Sequence, residues 1–227
     1  MKIANLFGAV LISVLLLTSG ICQANMTCSE MFLGGFTVNS RLSEFLKTYG
    51  EPPIKYDLGD QIYKVIYGNS VMLDCSLAFF RNEGNVVSIH ITANNGWRTP
   101  AGISVGTNIS KVFELYGQPD YSKSNATKTV CVYYPSDYVN FKGESIPEFG
   151  FFIKFDNDSG KILEMYLAWG FDGKTTFEYP ETAYKIVDEM LKTDTPIEDF
   201  KNNQDKYKEQ YDDPLLTKTP PPFVSRG

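Results

Sequence analysis

The chain has 227 residues, 43% of them hydrophobic, enough to build one or two buried cores. Its net charge is −6 and no stretch clusters lysine or arginine, which argues against phosphate-driven nucleic-acid binding and against anionic membrane surfaces. A lone histidine, no Gly-rich phosphate loop and no Cys/His spacing suited to zinc give catalysis or a metal little to build on, so neither a cofactor nor a metal is expected.

Residues 1–24 read as a targeting segment: Lys2 makes a weakly basic start, Leu6 to Leu17 an apolar run, and Cys22-Gln-Ala24 a small-x-small cleavage site. The expected product is exported, periplasmic or secreted at a bacterial cell envelope, and begins near Asn25. A lipoprotein processed at Cys22 is the alternative, which bulky Ile21 fits poorly. The run is shorter than the ~20 residues a bilayer requires, and no other stretch could span one. Cys28, Cys75 and Cys131 remain, an odd set that an exported protein can divide into one disulfide and one leftover thiol.

The stretch from Gly35 to Pro53 returns from Gly102 to Asp120. Val38 falls on Val105, Leu42 on Ile109, Phe45 on Val112, Tyr49 on Tyr116, Gly50 on Gly117 and Pro52 on Pro119. In each copy the apolar residues Leu42, Phe45, Leu46, Tyr49 or Ile109, Val112, Phe113, Tyr116 recur at i, i+3, i+4, i+7, one stripe of a short amphipathic helix. Ser40 and Thr107 are expected to cap its start, the glycine to close it and the proline to forbid continuation. Two copies at a long spacing point to a duplicated small domain.

After the first helix, Tyr63, Val65 and Tyr67 alternate with Ile62, Lys64 and Ile66. Leu73, Cys75, Leu77 and Phe79 alternate with Asp74, Ser76 and Ala78, and Asn82 to Asn85 signals a hairpin into Val87, Ile89 and Ile91. The second copy repeats this with Val130, Val132 and Tyr134 against Cys131 and Tyr133. Phe149, Phe151, Ile153 and Phe155 come next, then Leu163, Met165 and Leu167 against Glu164, Tyr166 and Ala168. By this phasing Cys75 points to the core and Cys131 away from it, and Phe155 matches Phe79. The expected fold is α+β: two tandem helix-plus-three/four-stranded antiparallel units, 25–96 and 97–172, forming one curved sheet with helices on one face. Residues 173–211 form a C-terminal helical extension, with an amphipathic helix from Pro180 to Lys192, and 212–227 a flexible tail.

A glycine, a capped helix ending in Tyr-Gly-x-Pro and an aromatic strand followed by a hairpin, over residues 34–169, resemble the beta-lactamase-inhibitory-protein-like repeat. That unit is also similar to the small lipoprotein of the outer-membrane barrel-assembly machine. The resemblance implies a concave sheet with helices on its convex side, protein binding through the concave face, and no catalysis; no inhibitory contact residue carries over.

Asp156-Asn-Asp158-Ser-Gly160 mimics a calcium loop, but Lys161 stands at the sixth position and Leu167 at the twelfth, so a hairpin turn is expected. On the side of the sheet away from the repeat helices the alternation places Lys64, Ser76, His90, Tyr133, Phe152, Lys154, Glu164 and Tyr166. Aromatics among mixed charges suit an interface. Trp97 and Arg98, in the joint between copies, and Tyr138 and Phe141, in the long loop before Phe149, are expected to border it. The competing expectation is that the C-terminal helix folds over this surface. The reading is a monomeric, exported, non-catalytic module, inhibitor-like, that binds another protein through Tyr133, Tyr166, Trp97, Tyr138, Lys154, Glu164 and His90. The alternative is an envelope structural or assembly factor; an enzyme is not expected.

Overall fold

The structure is a computed structural model and describes residues 25–57, 62–76, 84–139, 143, 149–169 and 181–203. The leader, the tail, Phe141, Leu77, Phe79 and the first half of the Asn82–Asn85 turn lie outside the described residues. Helix α1 (Leu42–Tyr49) precedes strands β1 (Ile54–Asp57), β2 (Ile62–Tyr67), β3 (Val71–Ser76) and β4 (Asn85–Ile91). Helix α2 (Ile109–Tyr116) precedes β5 (Tyr121–Ser124), β6 (Lys128–Tyr133), β7 (Phe149–Asp156) and β8 (Ile162–Trp169). Helices α3 (Glu181–Lys192) and α4 (Pro196–Asn202) end the described chain.

Both repeat helices start one residue later than the serine and threonine suggest, behind Arg41 and Asn108. Asn108 accepts the Ser110 N–H at 2.9 Å, an ordinary N-cap. Ser40 and Thr107 instead tie the turn before the helix, accepting the N–H of Thr37 at 3.0 Å and of Ser104 at 3.1 Å. The glycine stop forms as expected: Gly50 and Gly117 carry φ of 79° and 74°, and their N–H groups bond back to Leu46 and Phe113. A tyrosine on the second strand of each unit then fastens that stop to the sheet. Tyr67 donates to the Gly50 carbonyl at 2.7 Å, and Tyr133 to the Gly117 carbonyl at 3.0 Å.

The eight strands form one antiparallel sheet in the order β1-β2-β3-β4-β8-β7-β6-β5. Each unit has a short first strand, β1 or β5, on which the alternation is too brief and too polar to read. A β-bulge recurs at the same place in both units: Asp74 faces Ser88 but Cys75 faces Val86, and Lys154 faces Glu164 but Phe155 faces Ile162. The bulge shifts the phase of the last strand, so Val86 and Ile162 enter the core where simple alternation places Val87 and Leu163. It also matches Phe155 to Cys75 rather than to Phe79. Ser88 and Glu164 are therefore counterparts, as are His90 and Tyr166 two residues on. His90 stands directly opposite Tyr166 in the β4–β8 ladder, so the approximate twofold relating the units passes through that pair.

One core fills the face under α1 and α2 and runs through both units, from Phe45, Leu73 and Ile89 to Val112, Phe151 and Met165. Cys131 and Tyr133 belong to this core, not to the opposite face: β6 has the phase opposite to that expected, and Val130, Val132 and Tyr134 turn away. Every strand residue of β6 from Val130 to Tyr133 is buried, so alternation alone carries no sign there. The opposite face is covered as well. α3 packs Ala183, Val187 and Met190 on Val130, Val132 and Phe152, and α4 packs Ile197 and Phe200 on Ile66 and Met72. The repeat helices share one face, as expected, and the C-terminal helices cover the other, as the competing expectation had it, so helices lie on both faces rather than one. No helix among the described residues is long and apolar enough to cross a membrane.

The paired tyrosine contacts predict unequal costs. Tyr133→Phe leaves a buried carbonyl without its donor and should cost about 1 kcal/mol in urea denaturation, whereas Tyr67→Phe, at a solvent-exposed bond, should cost clearly less.

Candidate functional site

The face covered by α3 and α4 carries a row of polar side chains along its middle, between two apolar patches. On β2, β3 and β4, Lys64 Nζ lies 2.5 Å from Asp74 Oδ1, and Ser88 Oγ donates to Asp74 Oδ2 at 2.8 Å. Across the joint, the Glu164 carboxylate on β8 serves two partners. Oε1 accepts from Lys154 Nζ at 2.6 Å and Oε2 from His90 Nε2 at 3.0 Å. Strand phase explains the grouping: each of these residues stands in the polar phase of its strand, and the ladder brings neighbouring strands into register.

Burial is what gives this row its energetic weight. Lys154 is 1% exposed, Glu164 3% and His90 6%. A buried ammonium is tolerable only if its donors are met and its charge is paired. Lys154 meets both conditions, because Nζ also donates to the Thr193 carbonyl at 2.6 Å and lies 3.4 Å from Asp194 Oδ1. The turn between α3 and α4 thus sits on the lysine. Asp194 pairs also with Lys128, whose hydrogen bond is the main cause holding its carboxyl below the usual range. Tyr166 lies between His90, 4.7 Å away centroid to centroid, and Phe152 at 5.9 Å.

Of the seven residues expected to bind a partner, the structure gathers His90, Lys154, Glu164 and Tyr166 on this face. Tyr133, Trp97 and Tyr138 lie on the other. Tyr133 is in the main core. Trp97 packs among Phe45 and Tyr49, with ring centroids 5.9 and 4.6 Å away, over α1. Tyr138 meets Phe149 edge-on at 5.4 Å at the margin of that same core. Trp97 in the joint and Tyr138 at the start of the long loop therefore border the α1–α2 side rather than the polar row. Asp74, Ser88, Thr193 and Asp194 were not singled out. Asp74 and Ser88 carried a signal, their place in the polar phase, but Thr193 and Asp194 come from a turn whose docking no local pattern announces.

Chemically, the row is a closed set of hydrogen bonds among charged and polar side chains, with Lys64–Asp74 and Lys154–Glu164 its ion pairs. His90 and Lys154 each direct a nitrogen at Glu164 beneath the covering helices, and among the described residues no three His, Cys, Asp or Glu side chains are placed to hold a metal. Among the described residues, Cys28, Cys75 and Cys131 are all unbridged. Burial pushes Cys75 and Cys131 up to about 12, and Cys28 reaches about 11 through burial and the neighbouring Asp137.

No protein-family model matches the chain, and no curated protein matches it. Solved structures similar to it include a cysteine-rich secretory protein from Staphylococcus aureus subsp. aureus Mu50, 14% identical with a TM-score of 0.39, matched over 63% of this chain and 47% of that one. Another is an extracellular protein containing a SCP domain from Bacillus anthracis str. Ames, 12% identical with a TM-score of 0.38, over 63% and 45%. The chain spans about half the length of these structures.

Removing one member of the buried pair should cost more than removing both. Glu164→Gln strands the Lys154 ammonium and is expected to destabilise by roughly 3 kcal/mol in urea denaturation. Adding Lys154→Met should recover part of that loss. Strict additivity of the two substitutions would contradict the pairing.

Proposed function

We propose that this chain is an exported, non-catalytic protein-binding module, inhibitor-like in design, which engages another protein through the sheet face opposite α1 and α2. The observation that carries this reading is that the face already takes a helix: α3 lies on an apolar seat of Val130, Val132 and Phe152, edged by the aromatic ring of Tyr166 and the charges of Lys154 and Glu164. Buried aromatic and apolar side chains are the composition of an interface centre, and the charges beside them are tolerated because Lys154 and Glu164 pair. The resemblance of the repeat to the beta-lactamase-inhibitory-protein-like unit supports the same reading, and the leader supports export. The only histidine is held by Glu164 under the covering helices, which leaves it poorly placed to act on a substrate.

The placement of Tyr133 changes how this is tested. Tyr133→Ala would open a cavity in the main core and report on folding, so Tyr166→Ala is the informative substitution. Immobilised mature chain should capture a discrete envelope protein, and Tyr166→Ala should weaken capture by about tenfold, the equivalent of 1.4 kcal/mol, with the circular dichroism spectrum unchanged. Undiminished capture by the variant would contradict the site.

A further inference from the structure

The covered face poses a question of access, because a partner can reach it only if α3 and α4 leave. We propose that the α3–α4 arm is a releasable self-occupant of that face, and that the partner supplies an amphipathic helix seated as α3 is, with its C-terminal end on Lys154. The inference rests on the protein-binding reading above and adds the partner's chemistry and the regulation of its access.

The arm is attached differently from everything else around the sheet. Neighbouring strands share backbone ladders, whereas among the described residues the arm meets the sheet through side-chain polar links. Lys154 donates to the Thr193 carbonyl, Asn125 to the Leu191 carbonyl at 3.3 Å, and Lys123 and Lys128 pair with Asp188 and Asp194 at the exposed rim. Exposed pairs of that kind hold weakly. The arm is therefore held on the sheet mainly by its apolar stripe, a contact that another amphipathic helix can replace.

The row beneath the arm is also closed without it. Glu164 keeps Lys154 on one oxygen and His90 on the other, and Asp74 keeps Lys64 and Ser88. Departure of the arm removes Thr193 and Asp194 from Lys154 but strands no charge. What it exposes is apolar surface that needs a new cover.

The seat specifies that cover. The carbonyls at a helix C-terminus carry partial negative charge, and Lys154 stands where α3 ends, 2.6 Å from the Thr193 oxygen. The stripe of Ala183, Val187 and Met190 fits a helix with a small residue near its start and larger ones toward its end. Acidic residues on the outer turns would meet Lys123 and Lys128, as Asp188 and Asp194 do.

Two measurements on the mature chain test this. In native-state hydrogen exchange, amides of residues 181–203 should exchange about tenfold or more faster than those of β7 and β8. A labelled peptide of residues 181–203 should bind the Val187→Asp chain about tenfold or more tighter than the unaltered chain, whose own arm competes. Exchange of the arm in step with β7 and β8 would overturn release. A peptide that binds neither chain, or both equally, would overturn the receiving face. Should Val187→Asp fail to fold, hydrogen exchange of the unaltered chain decides alone. Peptide binding with no protein captured from the envelope would count against the protein-binding reading only, and synchronous exchange against release only, so the two failures are distinguishable.

Discussion

The ladder between β4 and β8 is the constraint on which the rest of the molecule depends. Four residue pairs, from Ser88 with Ala168 to Ile91 with Met165, turn two four-stranded sheets into one of eight strands. A four-stranded unit with one short helix buries too little to offset its ordering entropy. Joined through β4 and β8, the units share a core that runs under both repeat helices. Because His90 faces its own counterpart Tyr166, the joint is nearly symmetric, and the asymmetry of chemistry begins one step away. Glu164 stands where the first unit has Ser88, and Lys154 where it has Asp74.

That asymmetry gives the second face its character. A plain duplication with a solvated outer face would need no cover. Here Val130, Val132 and Phe152 on one side of the row and Ile66 and Met72 on the other are too apolar to stay in water, and α3 and α4 bury them. The charged row between the patches is satisfied mainly within the sheet, and the arm adds the last contacts to Lys154. One short arm thereby spans both units, with α3 on the second and α4 on the first.

Much of this was legible in the sequence, and the limits have physical causes. Repeated stops and stripes located α1 and α2 because glycine, proline and helical periodicity act locally. The alternation of β7 and the polar phase of His90, Lys154 and Glu164 were readable because one side of each strand is much more apolar than the other. The phase of β6 was not, since Val130, Cys131, Val132 and Tyr133 are all buried and both faces of that strand are covered. Val87 and Leu163 were misplaced because a bulge moves the register by one residue without any mark in composition. Trp97 and Tyr138 were assigned to the wrong face because a joint and a loop have no period to phase them. The arm's amphipathic helix was visible, but which surface it covers is a tertiary matter. The same surface that reads as an interface is the one the arm occupies.

The central claim is that the two units share one sheet and one core and therefore unfold together. Scanning calorimetry of residues 25–227, unaltered and carrying Phe45→Ala or Val112→Ala, tests it most directly, because these buried side chains belong to α1 and α2, in different units. The account predicts a single transition, with calorimetric and van't Hoff enthalpies in agreement, that either substitution lowers by at least roughly 4 °C. Two resolved transitions, each moved only by the substitution in its own unit, would contradict it.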